Sequence, residues 1–250
     1  MQRTPRVSIF TTPHDVARTL ARRVAAALRE NPRMVLGLPT GRTPLLFYEE
    51  LVRLHADQDV DFSQATTFNL DEFVGLTAGH AGSYRTFMRR FLFEHVNIDP
   101  ARTHFLDGAA ADLADECERY EDSIAAAGGI DLQILGIGTN GHIGFNEPGP
   151  ELDARTHKVT LRPETRSSNA ALFGGDPASV PTHALSMGMG TILHARTAVL
   201  LATGETKAKC VERVVRGPIT TTLPASLLQL HPDAELMLDE AAAQELDAPS

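Results

Sequence analysis

The sequence predicts an α/β fold, a single-domain Rossmann-like sheet that is mostly parallel and covered by helices on both faces. Strand-like and helix-like segments alternate from end to end with short connections, the pattern of repeated βα units with right-handed crossovers. The strand-like segments are continuous apolar runs such as Leu132 to Ile137, which suit strands buried on both faces. At 250 residues and 42% hydrophobic content, the chain is long for one domain and short for two, so one sizeable core is expected across residues 1–250.

Val16 to Leu28 places Leu20, Val24 and Leu28 on one helical face, and Arg33 to Leu38 follows as a strand. Thr40-Gly-Arg-Thr-Pro44 opens a helix reaching about His55, with Pro44 suited to a first turn, where its missing N–H costs nothing. Thr66 to Leu70 is a second buried strand ending at Asp71-Glu72. Ser83 caps a helix through Glu94, Asp112 caps another through Ala127, and the apolar run to Ile137 comes next. Thr156 to Leu161 reads as a strand, Glu164 to Phe173 as a helix and Gly174 to Pro181 as a loop. Arg196 to Ala202 is a strand, Thr206 to Arg216 a helix, Glu235 to Leu238 a last strand and Glu240 to Leu246 a closing helix.

Lys plus Arg total 23 against 32 for Asp plus Glu, a net charge of -9, which argues against nucleic acid or an anionic membrane as partner while leaving room for a small basic pocket. The start lacks the apolar core of a signal peptide, and no run approaches the ~20 apolar residues of a membrane span. A cytoplasmic protein is expected. Cys117 and Cys210 stand without a Cys-x-x-Cys or Cys/His cluster and read as reduced structural thiols.

Four motifs carry chemistry. In Asp131-Leu-Gln-Ile-Leu-Gly-Ile-Gly-Thr-Asn-Gly-His-Ile-Gly-Phe-Asn-Glu-Pro148 a buried strand breaks into a glycine-rich loop holding Asn140, His142 and Glu147. Ligands of parallel sheets collect beyond the carboxyl ends of strands, and a carboxylate in reach fixes an imidazole's tautomer. Taken alone, this loop is better read as a simple chain reversal. Leu36-Gly-Leu-Pro-Thr-Gly-Arg-Thr-Pro44 is a strand, a small-residue loop and a helix start, whose amides and hydroxyls suit a phosphate as well as a plain connection. It is neither Gly-x-Gly-x-x-Gly nor a Walker loop, so a nucleotide is not indicated.

Thr67-Phe-Asn-Leu-Asp-Glu-Phe-Val-Gly-Leu76 sets Asp71 and Glu72 where a strand emerges, and alternation sends only one of them into the cleft. Such a carboxylate can take a proton alpha to a carbonyl once burial lifts its pKa; the plainer alternative is a cap or a structural pairing with arginine. Gly204-Glu-Thr-Lys-Ala208 places Lys207 in a first helical turn, where the dipole disfavours a cation unless an anion binds, though a solvated lysine is the ordinary reading. Each group stands at the end of an expected strand, so the four motifs converge on one crevice with an anion grip, a carboxylate and a His/Glu pair.

Gly37-Leu-Pro-Thr-Gly41, Phe68-Asn-Leu-Asp-Glu-Phe-Val-Gly-Leu76, Ser83-Tyr84, Gly138-Thr-Asn-Gly-His-Ile-Gly-Phe-Asn-Glu-Pro148, Gly204-Glu-Thr-Lys207 and Leu228-Gln-Leu-His231 together resemble the glucosamine-6-phosphate deaminase family, in order and spacing. The resemblance implies ring opening of an amino-sugar phosphate, movement of a proton from C2 to C1, and hydrolysis of the imine to fructose 6-phosphate and ammonia, with no metal or organic cofactor. It implies that Asp71 is the enolisation base, that His142 is the ring-opening acid/base oriented by Glu147, and that Asn140 stands where many members have Asp. Thr40, Gly41, Arg42, Thr43 and Lys207 would hold the phosphate.

Two departures stand out. Ala171 occupies the place where the family usually has a phosphate-binding Arg, and Arg42 stands where a small residue is common, so Arg42 is expected to substitute for it. His157 and Val159 fall where allosteric members carry basic residues, which speaks against that regulation. The rivals are a galactosamine-6-phosphate deaminase or isomerase, a 6-phosphogluconolactonase, whose Gly-His loop continues with a Ser-Leu-Phe-Pro type segment, and a non-catalytic sugar-phosphate sensor. The oligomeric state is not set by the sequence, and a homo-oligomer is left open.

Overall fold

A computed structural model describes residues 5–246. Its main sheet has seven parallel strands: β1 (Arg6–Phe10), β2 (Val35–Leu38), β3 (Thr66–Asn69), β5 (Thr103–His104), β6 (Leu132–Gly136), β9 (Thr197–Ala202) and β10 (Ala234–Asp239). They lie in the order β1-β10-β9-β6-β2-β3-β5. From β2 the chain builds outward through β3 to β5, then returns to the other side of β2 to lay down β6, β9 and β10. The order therefore reverses between β2 and β6, and a crevice opens above the carboxyl ends of those two strands.

Helices cover both faces. One core packs α1 (Pro13–Glu30) and α2 (Leu45–Ala56) on Leu36, Leu38, Ile134 and Val199. The other packs α4 (Leu113–Ala126), α6 (Met189–Leu193), α7 (Ala208–Arg216) and α8 (Glu240–Ala243) on Leu135, Leu200 and Leu236. Wholly buried side chains such as Phe47, Phe62 and Leu36 each contribute about 1.5–3 kcal/mol. Helix starts follow the expected chemistry: Thr12 accepts Asp15 N at 3.2 Å ahead of Pro13, and Asp112 accepts Ala114 N at 2.8 Å.

A second sheet is antiparallel: β4 (Asp71–Phe73), β8 (His183–Ser186) and β7 (His157–Thr160), in the order β4-β8-β7; β7 is the strand expected at Thr156 to Leu161, and β4 and β8 were not expected. Leu70 alone separates β3 of the large sheet from β4 of the small one. Asp71 is thus the first residue of an antiparallel strand, where the sequence placed it at the end of a parallel one. Other expected elements are trimmed. The helix capped by Ser83 is α3 (Tyr84–Met88) continued by a π-helical turn through Phe93, and the helix expected to end at Phe173 is α5 (Pro163–Asn169) followed by a 3₁₀ turn. Phe73, Tyr84, Phe145 and Phe173 form an aromatic cluster beside the small sheet, with Phe73 centred 4.8 Å from Tyr84 and 5.4 Å from Phe145.

Candidate active site

The crevice is assembled from the loops after β2, β6 and β9 and from the start of β4. Beyond β2, Thr40, Gly41 and Thr43 are half-buried and Arg42 is exposed, with Gly41 at φ +104, a left-handed geometry that glycine takes without strain. Asn69 ties this loop to β3: its Nδ2 donates to Leu38 O at 3.1 Å, and the same carbonyl accepts Leu70 N at 3.3 Å.

Asp71 and Glu72 take opposite directions, as strand alternation requires. Glu72, 3% exposed, accepts Phe73 N at 2.8 Å and Tyr84 N at 3.0 Å on one oxygen and Arg85 N at 3.1 Å on the other. It caps α3. Burial pushes its pKa up, and the three amides oppose the shift. Asp71, 6% exposed, receives no such bonds, and its Oδ1 is buried without a partner. Three buried phenols feel its charge, yet Tyr48 donates to Pro39 O, Tyr84 to Asn169 Oδ1 and Tyr120 to Asn69 O. Burial, with Glu72 adding repulsion, raises the Asp71 carboxyl to about 8.

The loop after β6 comes up against Asp71. Gly144, at φ +55, lies so close that a Cβ there would stand 3.6 Å from Asp71 Oδ2 and 3.0 Å from Ser186 Oγ. Ser186 Oγ also accepts Phe145 N at 3.0 Å, and Asn146 Nδ2 donates to Ile143 O and Met187 O, which fixes the turn. Within the turn the His142 ring lies flat over Gly138, where a Cβ would come within 2.3 Å of Cε1. His142 N donates to Asn140 Oδ1 and Asn140 Nδ2 to Glu147 Oε2, both at 3.1 Å. Glu147 Oε2 stands 3.8 Å from His142 Nδ1, which has no hydrogen-bond partner. Burial lowers the His142 pKa, Glu147 opposes that shift, and Lys207 adds to it.

Lys207 ends a 3₁₀ turn and stands at the N-terminal cap position of α7, close to both His142 and Arg42. Burial and the Arg42 charge lower its pKa, partly offset by Cys210. Neither Lys207 nor Arg42 has a carboxylate in ion-pair range among the described residues, and the Arg42 charge is felt at Lys207, an arrangement that favours an anion bound by both. The structure thus brings together Arg42, Lys207, His142, Asn140, Glu147 and Asp71. It also reveals Thr165, Tyr84 and Asn169, to which sequence reasoning assigned no role: Thr165 donates to Glu147 Oε1, and Tyr84 donates to Asn169 Oδ1 at 2.9 Å. Tyr84 belongs to the Ser83-Tyr84 motif, while nothing local in the sequence marks Thr165 or Asn169.

A sequence family described as glucosamine-6-phosphate isomerases/6-phosphogluconolactonase matches residues 11–237. The chain belongs to this family. Among its relatives are glucosamine-6-phosphate deaminase 2 of Giardia intestinalis, 49% identical over 93% of this chain and 89% of the relative, and the glucosamine-6-phosphate deaminase of Rhodopirellula baltica, 53% identical over 90% and 89%. The solved structure of a monomeric glucosamine-6-phosphate deaminase superposes with a TM-score of 0.93 at 42% identity, covering 96% of this chain and 99% of that one. The fold is shared more widely: 6-phosphogluconolactonase from Trypanosoma cruzi matches with a TM-score of 0.76 at 19% identity, over 99% of each chain.

Proposed function

We propose that this chain converts glucosamine 6-phosphate and water to fructose 6-phosphate and ammonia. The observation that carries the reading is a buried, unpartnered carboxylate, Asp71, set against Gly144 of the loop that bears His142 and Glu147. Lys207 and Arg42, with the Thr40, Gly41 and Thr43 loop, hold the phosphate, Arg42 taking the part of an arginine absent at Ala171. The neutral His142 ring accepts the C1 hydroxyl proton and returns a proton to the ring oxygen, which opens the pyranose. Glu147 and Asn140 orient the imidazole.

Asp71 then removes the C2 proton. The C1 oxygen takes a proton from the substrate's own ammonium as the enolamine forms, and C1 receives the proton that Asp71 carried, leaving a protonated imine at C2. Water adds there and ammonia leaves. A carboxylate lifted toward the working pH suits this step, because the same group must accept a proton and give it back. The 42% identical monomeric deaminase supports a monomer as the working unit, and no helix among the described residues is long and apolar enough to cross a membrane. A cytoplasmic hydrolase of amino-sugar catabolism follows from the proposed substrate.

The test is incubation with glucosamine 6-phosphate and, separately, galactosamine 6-phosphate, measuring ammonia and ketose phosphate. Release from the first supports the reading, release from the second alone moves it to the C4 epimer, and release from neither refutes it.

A further inference from the structure

Glu147 is held largely by a segment other than its own loop. Its Oε1 accepts from Thr165 Oγ1 and, at 3.3 Å, from Arg162 N, both at the start of α5. Its Oε2 accepts from Asn140 and stops 3.8 Å short of His142 Nδ1, beyond hydrogen-bond range. Thr165 is 2% exposed, so its hydroxyl has no bulk water to turn to. The segment is itself anchored: Asn169 Nδ2 donates to Thr165 O at 2.9 Å, Asn169 Oδ1 accepts from Tyr84, and the Tyr84 backbone is bonded to Glu72.

We propose that Thr165 is a positioning residue: donating from α5, it holds the Glu147 carboxylate away from His142 and so sets the strength of the His142–Glu147 pair. The inference rests on the proposed function only in giving that pair its task. The charged and titratable groups about His142 are Glu147 on its own loop, Lys207 and Cys210 at the start of α7, and Asp71 across Gly144, with Arg42 beside Lys207. Of these, Glu147 is the one that α5 holds. Removing the Thr165 donor frees the carboxylate to close on Nδ1, which stabilises the protonated ring while Lys207 still opposes it.

The experiment is a ligand-free NMR titration of the His142 ring in T165V, which keeps the shape without the donor, and in T165S, which keeps the donor; loss of the signal in H142Q assigns it. T165V is expected to raise the midpoint by about 0.5–1 unit and T165S to leave it within roughly 0.2 unit of the parent. An unchanged midpoint in T165V, or equal shifts in both variants, overturns the proposal. Should T165V not fold, T165A removes the same donor to Glu147, and an unchanged midpoint there overturns the proposal equally. No substrate is involved, so loss of the deaminase reading and loss of the Thr165 role are separate results.

Discussion

Substitution of Gly138 by alanine should separate catalysis from folding. Gly138 donates its N–H to His142 O at 3.0 Å, and a Cβ on it would fall 2.3, 2.4 and 2.6 Å from Cε1, Nδ1 and Nε2 of the His142 ring. Ordinary contact begins near 3.4 Å, so the ring must retreat by about 1.1 Å (3.4 less 2.3) or swing outward. The backbone itself accepts alanine, since Gly138 is not among the glycines with positive φ. The ring is the free end of a side chain that already touches solvent, so the fold gives way there at a cost of about 1 kcal/mol. A displacement of about 1 Å in a catalytic group lowers the rate about 100-fold, roughly 2.7 kcal/mol of barrier. Ammonia release from glucosamine 6-phosphate, measured beside thermal unfolding, should therefore show kcat/KM down about 100-fold and Tm down by no more than about 4 °C. Activity within about threefold of the parent would refute the reasoning, because the ring would then not need the place it occupies over Gly138.

Asp71→Asn should abolish turnover while sparing phosphate binding, and it should stabilise the fold. The carboxyl ionises near 3.8 when unfolded and at about 8 when folded, so parent stability falls as pH rises between those values and levels off above them. Four units at about 1.4 kcal/mol each set an upper limit near 6 kcal/mol, and relaxation around the charge brings the expected gain at pH 9 to about 2–4 kcal/mol by denaturant unfolding. No gain at pH 9 would contradict the buried charge. In the parent, kcat/KM should decline as pH falls below about 8, because the proposed role of Asp71 requires the ionised carboxylate. His142→Gln should slow the cyclic substrate by about 10²–10⁴-fold and an open-chain analogue far less; equal losses would remove His142 from ring opening. Arg42→Ala should raise KM for the sugar phosphate about 10–100-fold with a smaller change in kcat, and an unchanged KM would remove Arg42 from the phosphate grip.

The large sheet was legible because its central strands are apolar runs ended by glycine, and the Thr40 and His142 loops follow directly from β2 and β6. What escaped was short or mixed in character. β1, at the sheet edge, has no fully buried residue and no regular alternation, and β5 has only two residues. β4 is Asp-Glu-Phe, whose two carboxylates hide a strand that is nevertheless fully buried, and its partner β8 lies over a hundred residues away, at His183–Ser186. The grouping of Asp71 with His142 was legible as convergence of strand ends, whereas the support for Glu147 was not. Thr165 and Asn169 act through bonds to residues distant along the chain, and no local pattern in a seven-residue helix announces them. The flat seat of His142 over Gly138 is likewise a product of the turn's three-dimensional course.

The neighbouring pair on β4 shows that chemical role here is a matter of phase. Asp71 and Glu72 are both buried carboxylates, and what makes one an unpartnered acid in the crevice and the other a ligand of three amides is the strand face each occupies. Because the pleat repeats every two residues, a one-residue insertion or deletion between β3 and β4 would exchange the two faces, sending the longer glutamate toward the crevice and the shorter aspartate toward α3. Leu70, the single residue joining the sheets, therefore acts as a counting device, and its length of one is as much a part of the site as either carboxylate.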